Sequence, residues 1–152
     1  MAVFSRRAVL QWDGEVPGGS GEVAAGNGAF TVGAIFPSIA GDPAGKTTPE
    51  ELLAASHATC YGIGLRSLIA RRGGRARRVS VPATVTAEEG PQGIRIQSSH
   101  LTGIVEDLEG IDESQLQQLA RETEERCTIS VAIRSAVAVS SEVRIGSLDS
   151  AR

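Results

Sequence analysis

Large aromatic side chains are scarce in this chain. One Trp, one Tyr and three Phe make up 3% of its 152 residues, so a core must be assembled from Ala, Val, Ile and Leu. A small domain built from small side chains often needs a second subunit to complete its interior. Positive charge is short as well: fifteen Lys and Arg against eighteen Asp and Glu leave a formal charge of -3. That balance offers no basic field for a phosphate backbone and argues against nucleic acid as a partner. The one basic run, Arg66, Arg71, Arg72, Arg75, Arg77 and Arg78, reads as a solvated helix end with cations near the negative pole of the helix dipole. No stretch approaches the ~20 apolar residues of a membrane span. The opening residues 1–7 lack the apolar centre of a secretory signal, so a cytoplasmic placement away from membranes is expected.

Cysteine is nearly absent, and the two that occur are informative. Cys60 and Cys127 are 67 residues apart, too far for a CxxC redox motif or a zinc knuckle. A permanent disulfide is uncommon in a reducing compartment. Taken alone, Cys60 in an apolar helical pattern reads as a small buried hydrophobe. The second cysteine shifts that balance. Cys127 stands where one helical pattern ends and another restarts, and free N–H groups at a helix start favour a thiolate. Together they read as a reactive thiol pair, with any pairing left to the fold.

The pattern of the chain predicts an α+β protein with antiparallel sheet and a single domain over 1–152, its core at about 5–145. Residues 3–12 read as a strand. Segments 22–25 and 29–34 flank Asn27-Gly28 as a hairpin with a two-residue turn. A loop rich in Pro and Gly covers 36–46. Thr48-Pro49-Glu50-Glu51 is a helix start: a capping hydroxyl, Pro at the first position, then acids at the positive pole. That helix should run to about Arg72 and stop at Gly73-Gly74. It is apolar around most of its circumference, which predicts a central position. Strands are expected over 78–88 and 93–105, a helix capped by Asp112 over 112–126, a short helix over 127–133 and a strand over 134–145. Residues 146–152 read as a frayed tail.

Few other side chains offer chemistry. Glu51 is read as a dipole partner. Glu50 lies ten residues before Cys60, about 15 Å along a helix, too far for direct contact. Its use would be to orient a cation near a thiolate. His57 shares a helix face with Cys60 at i−3, which allows a Cys-His nucleophile, but an isolated His on an apolar helix is more often a packed, hydrogen-bonded residue. His57, Cys60 and Cys127 would need a fourth group to hold zinc, and His100 is assigned to a strand. No metal site and no cofactor are expected.

The run from Thr48 to Cys60, Thr48-Pro49-Glu50-Glu51-Leu52-Leu53-Ala54-Ala55-Ser56-His57-Ala58-Thr59-Cys60, closely resembles the central-helix signature of the OsmC/Ohr family, the osmotically inducible and organic hydroperoxide resistance proteins. Gln11-Trp12-Asp13-Gly14 with its Gly-rich turn resembles the family's first hairpin, and Cys127-Thr128-Ile129-Ser130 its second-cysteine motif. The likeness is closer to the OsmC-like branch. It implies sheets wrapped around two central helices in an intertwined homodimer, with active sites at the subunit interface. It implies a thiol peroxidase for organic hydroperoxides. Cys60 would be oxidised to a sulfenic acid, Cys127 would resolve it as a disulfide, and a small or lipoyl-type dithiol would restore both. Glu50 matches the glutamate that holds the active-site arginine. Two positions depart from the family: Thr128 stands where Pro is common, and Ile35 stands where the catalytic Arg is expected. No Arg occurs between Arg7 and Arg66, which leaves Lys46, Arg66 and Arg126 as substitutes. Without that Arg, the alternative is an OsmC-like redox sensor or small-ligand-binding protein with little turnover. Ile63, Leu65, Leu53 and Ile129 are candidates to line a substrate pocket.

Overall fold

The computed structural model describes residues 1–16, 18–36 and 45–151. Pro17 of the first turn, and most of the Pro- and Gly-rich loop expected over 36–46, lie outside the described residues. The chain divides into two compact units, Met1–Leu52 and Leu53–Arg152.

The first unit is an antiparallel meander of β1 (Ala8–Asp13), β2 (Ser20–Ala25) and β3 (Thr31–Ala34). The first strand starts five residues later than expected. Its partner β2 ends at Ala25, opposite Ala8, so residues before Arg7 have no neighbour to pair with. The β2–β3 connection is also wider than the two-residue turn expected from Asn27-Gly28. Regular pairing stops at Ala24 and Thr31, and Ala25 N–H reaches the Phe30 carbonyl at 3.0 Å. Gly28 takes the left-handed conformation at φ 77°, but Asn27 does not, so the turn that requires both cannot form. Instead the Asn27 side chain accepts from Ala29 N–H at 3.0 Å, a local turn that Asn favours.

Helix α1 (Pro49–Arg71) begins at the end of the first unit, and its body belongs to the second. Thr48 Oγ1 accepts from Glu51 N–H at 3.4 Å, as the start signal predicts. Gly73, at φ 79°, ends the helix.

The rest of the second unit is a sheet with two helices. The strand expected over 78–88 is two, β4 (Arg78–Ser80) and β5 (Ala83–Gly90). Pro82 has no N–H to give to the ladder, and the edge is interrupted there. Both pieces run antiparallel along the same edge of the long strand β6 (Gly93–Glu106). The other edge of β6 carries β7 (Ala138–Ile145), and this pair is parallel, from Ser98 opposite Ala138 to Val105 opposite Ile145. A parallel return needs a long crossover. It is supplied by α2 (Glu113–Arg126) and α3 (Thr128–Ile133). Asp112 caps α2 in a reciprocal box with Gln115: Asp112 Oδ1 accepts from Gln115 N–H at 2.8 Å, and Gln115 Oε1 accepts from Asp112 N–H at 2.9 Å. The tail expected to fray carries a 3-10 turn over Leu148–Ala151.

Helix α1 buries one face, His57, Tyr61, Leu65, Leu68 and Ile69, at the three- and four-residue spacing of a single stripe. Leu101, Val105, Leu116, Leu119, Ala120, Cys127 and Val143 complete that core. Tyr61, the lone tyrosine, is fully buried and donates to the Ala120 carbonyl at 3.3 Å. Gly103 makes the close approach of α1 to β6 possible. A Cβ there would stand 2.8 Å from Val143 Cγ2 and 3.2 Å from Leu65 Cδ2.

Candidate active site

Cys60 lies in the middle of α1, off the buried stripe and half-buried. Cys127 is 5% exposed and caps α3. The chain direction changes sharply at Cys127. Its extended backbone ends α2 and starts α3 at once, so the first N–H groups of α3 have no carbonyl partner within that helix. They face Cys60. Burial pushes the Cys60 thiol up, but hydrogen bonds from the Ile129 backbone, the Cys127 thiol, and the Thr128 backbone and side chain outweigh it. Together they hold Cys60 below the ordinary thiol value. Cys127 is shifted the other way. Burial raises it and the neighbouring Cys60 adds to the rise, against opposing hydrogen bonds from the backbone and side chain of Ser130. Of the pair, Cys60 ionises first. Both thiols are free.

His57 is not a nucleophile's base here. It is fully buried, with Nδ1 2.7 Å from Ser99 Oγ on β6 and Nε2 2.7 Å from Ser130 Oγ on α3. Burial lowers its pKa, against a smaller opposing pull from the Glu124 carboxylate, so the ring is neutral at neutral pH. A neutral ring donates through one nitrogen and accepts through the other, which satisfies one hydroxyl on each side. The packed reading of His57 therefore holds, with a specific purpose: it ties α1, β6 and the start of α3 together three residues from Cys60. Ser99 and Ser130 were not singled out in the sequence. Ser130 falls in the second-cysteine motif, whereas a serine within a strand gives no local sign that it will be buried. His100 lies on β6, 44% exposed in its side chain, with Nδ1 2.7 Å from Ser140 Oγ. Among the described residues no cluster of three potential metal ligands occurs.

Cys60 and Cys127 line a cleft of about 330 Å³ with Ile63, Leu68, Arg71 and Arg126. Arg126 is thus one of the three substitute cations brought to the thiols. Arg66 lines a separate groove with Arg77 and Arg78, and Lys46 is exposed in the first unit. Arg71 was not among the candidates, having been read as part of a solvated helix end. Of the apolar residues expected at a pocket, Ile63 is 68% exposed and reaches this cleft, while Leu65 is buried in the core. Ile129 packs against that core. Leu53 is half-buried on α1.

In the first unit, Ile35 lines an almost wholly apolar cleft of about 370 Å³ with Leu10, Trp12, Val23, Phe36 and Leu52. Glu50, in the first turn of α1, makes no ion pair among the described residues. Ile35 itself brings no charge to this cleft.

An α+β fold with a free cysteine pair joined through a helix start defines a class of thiol protein. The chain belongs to the OsmC-like protein family, whose model matches residues 41–142. It is 21% identical over 139 residues to the peroxiredoxin OsmC of Escherichia coli K12, covering 91% of this chain and 96% of that protein. Among solved structures it is similar to an organic hydroperoxide resistance protein from Elizabethkingia anophelis, with a TM-score of 0.76 at 20% identity over 95% of this chain and 99% of the other. It is also similar to the organic hydroperoxide resistance protein OhrB of Bacillus subtilis, with a TM-score of 0.72 at 23% identity over 94% of this chain and all of the other. A Vibrio cholerae OsmC-like protein of unknown function matches with a TM-score of 0.76 at 16% identity, covering 93% and 100% of the two chains.

Proposed function

We propose that this protein is a thiol peroxidase that reduces organic hydroperoxides. The observation that carries this reading is the asymmetric cysteine pair. Cys60 is held toward its thiolate by the start of α3, and Cys127 is kept protonated beside it. The Cys60 sulfur attacks a peroxide oxygen, an S–O bond forms as the O–O bond breaks, and the departing alkoxide takes a proton to leave as alcohol. The Cys127 sulfur then attacks the sulfenic sulfur. An S–S bond forms, and the hydroxyl leaves as water with the Cys127 proton. A dithiol of lipoyl type reduces the disulfide by two exchanges and is itself released as a disulfide. The names of the E. coli and B. subtilis relatives support the reading.

The working form proposed is a homodimer in the reducing cytoplasm. Leu10, Phe30, Val32, Phe36, Ile63 and Val131 are exposed apolar side chains, and such surface suits a partner subunit.

A second reading is favoured by Ile35 and by a Glu50 with no ion pair among the described residues: a redox sensor or small-ligand-binding protein in which Cys60 oxidises but does not cycle. Multiple turnover of cumene hydroperoxide with dihydrolipoamide, followed by mass analysis of both cysteines, separates the two. Sustained turnover through a Cys60–Cys127 disulfide supports the peroxidase. One oxidation per chain without turnover supports the sensor.

A further inference from the structure

With Ile35 in an apolar cleft and Glu50 in no ion pair among the described residues, a charge that assists the peroxide must come from elsewhere. The second unit contains one beside the thiols. Arg126, in the last turn of α2, lines the cleft of Cys60 and Cys127. Its Nη1 donates to Glu122 Oε1 at 2.9 Å, one helical turn back. The other Glu122 oxygen accepts from Arg72 Nη2 at 3.5 Å, so the carboxylate is held from two sides. Arg126 is therefore tethered at the cleft edge. Arg71 lines the same cleft and makes no ion pair among the described residues.

We propose that Glu122 and Arg126 form the carboxylate–guanidinium couple of this site, with Arg126 meeting the peroxide as Cys60 attacks it. The inference rests on the peroxidase reading. As the O–O bond breaks, its electron pair goes to the departing oxygen. Arg126 donates a hydrogen bond to that oxygen and keeps its own proton, and water supplies the proton that completes the alcohol. Glu122 accepts from one nitrogen at the edge of the planar fork and leaves other N–H groups available. A cation already held in place stabilises developing charge without reorganising at the moment of reaction. Thiolate formation is a separate task, because the hydrogen bonds that lower Cys60 come from Ile129, Cys127 and Thr128. Arg126 acts on the oxygen and the α3 start acts on the sulfur.

The test is single-turnover oxidation of Cys60 by cumene hydroperoxide, run beside alkylation of Cys60 by iodoacetamide across pH. Arg126→Gln should slow oxidation by about tenfold or more and leave the alkylation profile unchanged. Arg126→Lys should recover part of the rate, and Glu122→Gln should fall between. Arg121→Gln removes a charge from α2 outside the cleft and should match the parent protein. Equal oxidation in the parent and Arg126→Gln overturns the couple. So does a loss in Arg126→Gln that the alkylation profile follows, or an equal loss in Arg121→Gln. If Arg126→Gln fails to fold, Glu122→Gln decides: parental oxidation there overturns the couple. A parent protein whose Cys60 alkylates normally but resists peroxide overturns the peroxidase reading and the couple with it.

Discussion

The imidazole Nε2 of His57 lies 2.7 Å from Ser130 Oγ, three residues past Cys127. His57 itself stands three residues before Cys60. One buried ring therefore fixes the distance between the helix that carries the first thiol and the short helix whose amides serve it. Replacing it with Leu takes the imidazole partner from the buried Ser99 hydroxyl and leaves the buried Ser130 hydroxyl with the Cys127 thiol alone of the two side chains it meets. His57→Leu should lower unfolding free energy by about 2–4 kcal/mol, measured by urea denaturation, and should slow alkylation of Cys60 as α3 loses its tether.

The same ring makes stability depend on pH. Its folded pKa lies below the ordinary 6.5, chiefly through burial. Below pH 6.5 the unfolded chain binds a proton that the folded chain refuses. Stability is therefore fully present above that value and falls as pH drops through the window beneath it, by at most about 1.4 kcal/mol per pH unit. His57→Gln should flatten this part of the curve. Denaturation midpoints measured between about pH 7 and pH 5 in both proteins provide the check.

The two thiols should react in a fixed order. Cys60 is held below the ordinary thiol value of 9.0 and Cys127 above it. Alkylation followed by mass analysis should modify Cys60 first, with its half-rate pH below that of Cys127. Cys60→Ser should abolish peroxide consumption. Cys127→Ser should preserve the first oxidation and block the intramolecular disulfide.

Asp112 closes the far end of the helix that delivers Arg126 and Cys127. Asp112→Ala breaks the reciprocal cap with Gln115 and should cost about 1 kcal/mol. The loss should be read as a shifted denaturation midpoint without a change in the cysteine order, because the cap lies at the opposite end of α2 from Cys127.

Gly103 tests the packing of β6 against its neighbour β7 and against α1. An added methyl would meet Val143 at 2.8 Å, inside normal contact. Gly103→Ala should destabilise by about 1–3 kcal/mol, and Val143→Ala in the same chain should recover part of that loss. A thermal melt of the single and double variants measures the coupling.

Much of this fold is legible locally. Thr48-Pro49-Glu50-Glu51 starts α1, Gly73 stops it, Asp112 caps α2, and Cys127 marks the restart at α3. What was not legible depends on partners distant in sequence. The late start of β1 follows from where β2 ends. The parallel β6–β7 pair is set by the crossover rather than by any residue of β7, whose alternation reads the same in either direction. Cys60 and Cys127 read as a reactive pair from their number and from the helix restart at Cys127, while their separate roles come only from the resemblance. Their opposite shifts come from the balance of burial against hydrogen bonds at each sulfur, a relation no spacing reveals. Arg71 looked like surface charge because nothing in a run of arginines says which one turns toward a thiol.

The pairing of β6 with β7 has a consequence for how the protein is made. Strand β6 leaves the ribosome long before its second neighbour, and the wait spans the whole α2–α3 crossover. Val143, buried at 6% exposure against the Gly103 region, is made only after that crossover. Until α3 is made, Cys60 is present without the amides that lower its pKa. The difference between the two thiols therefore appears only once α3 has been made and packs beside α1.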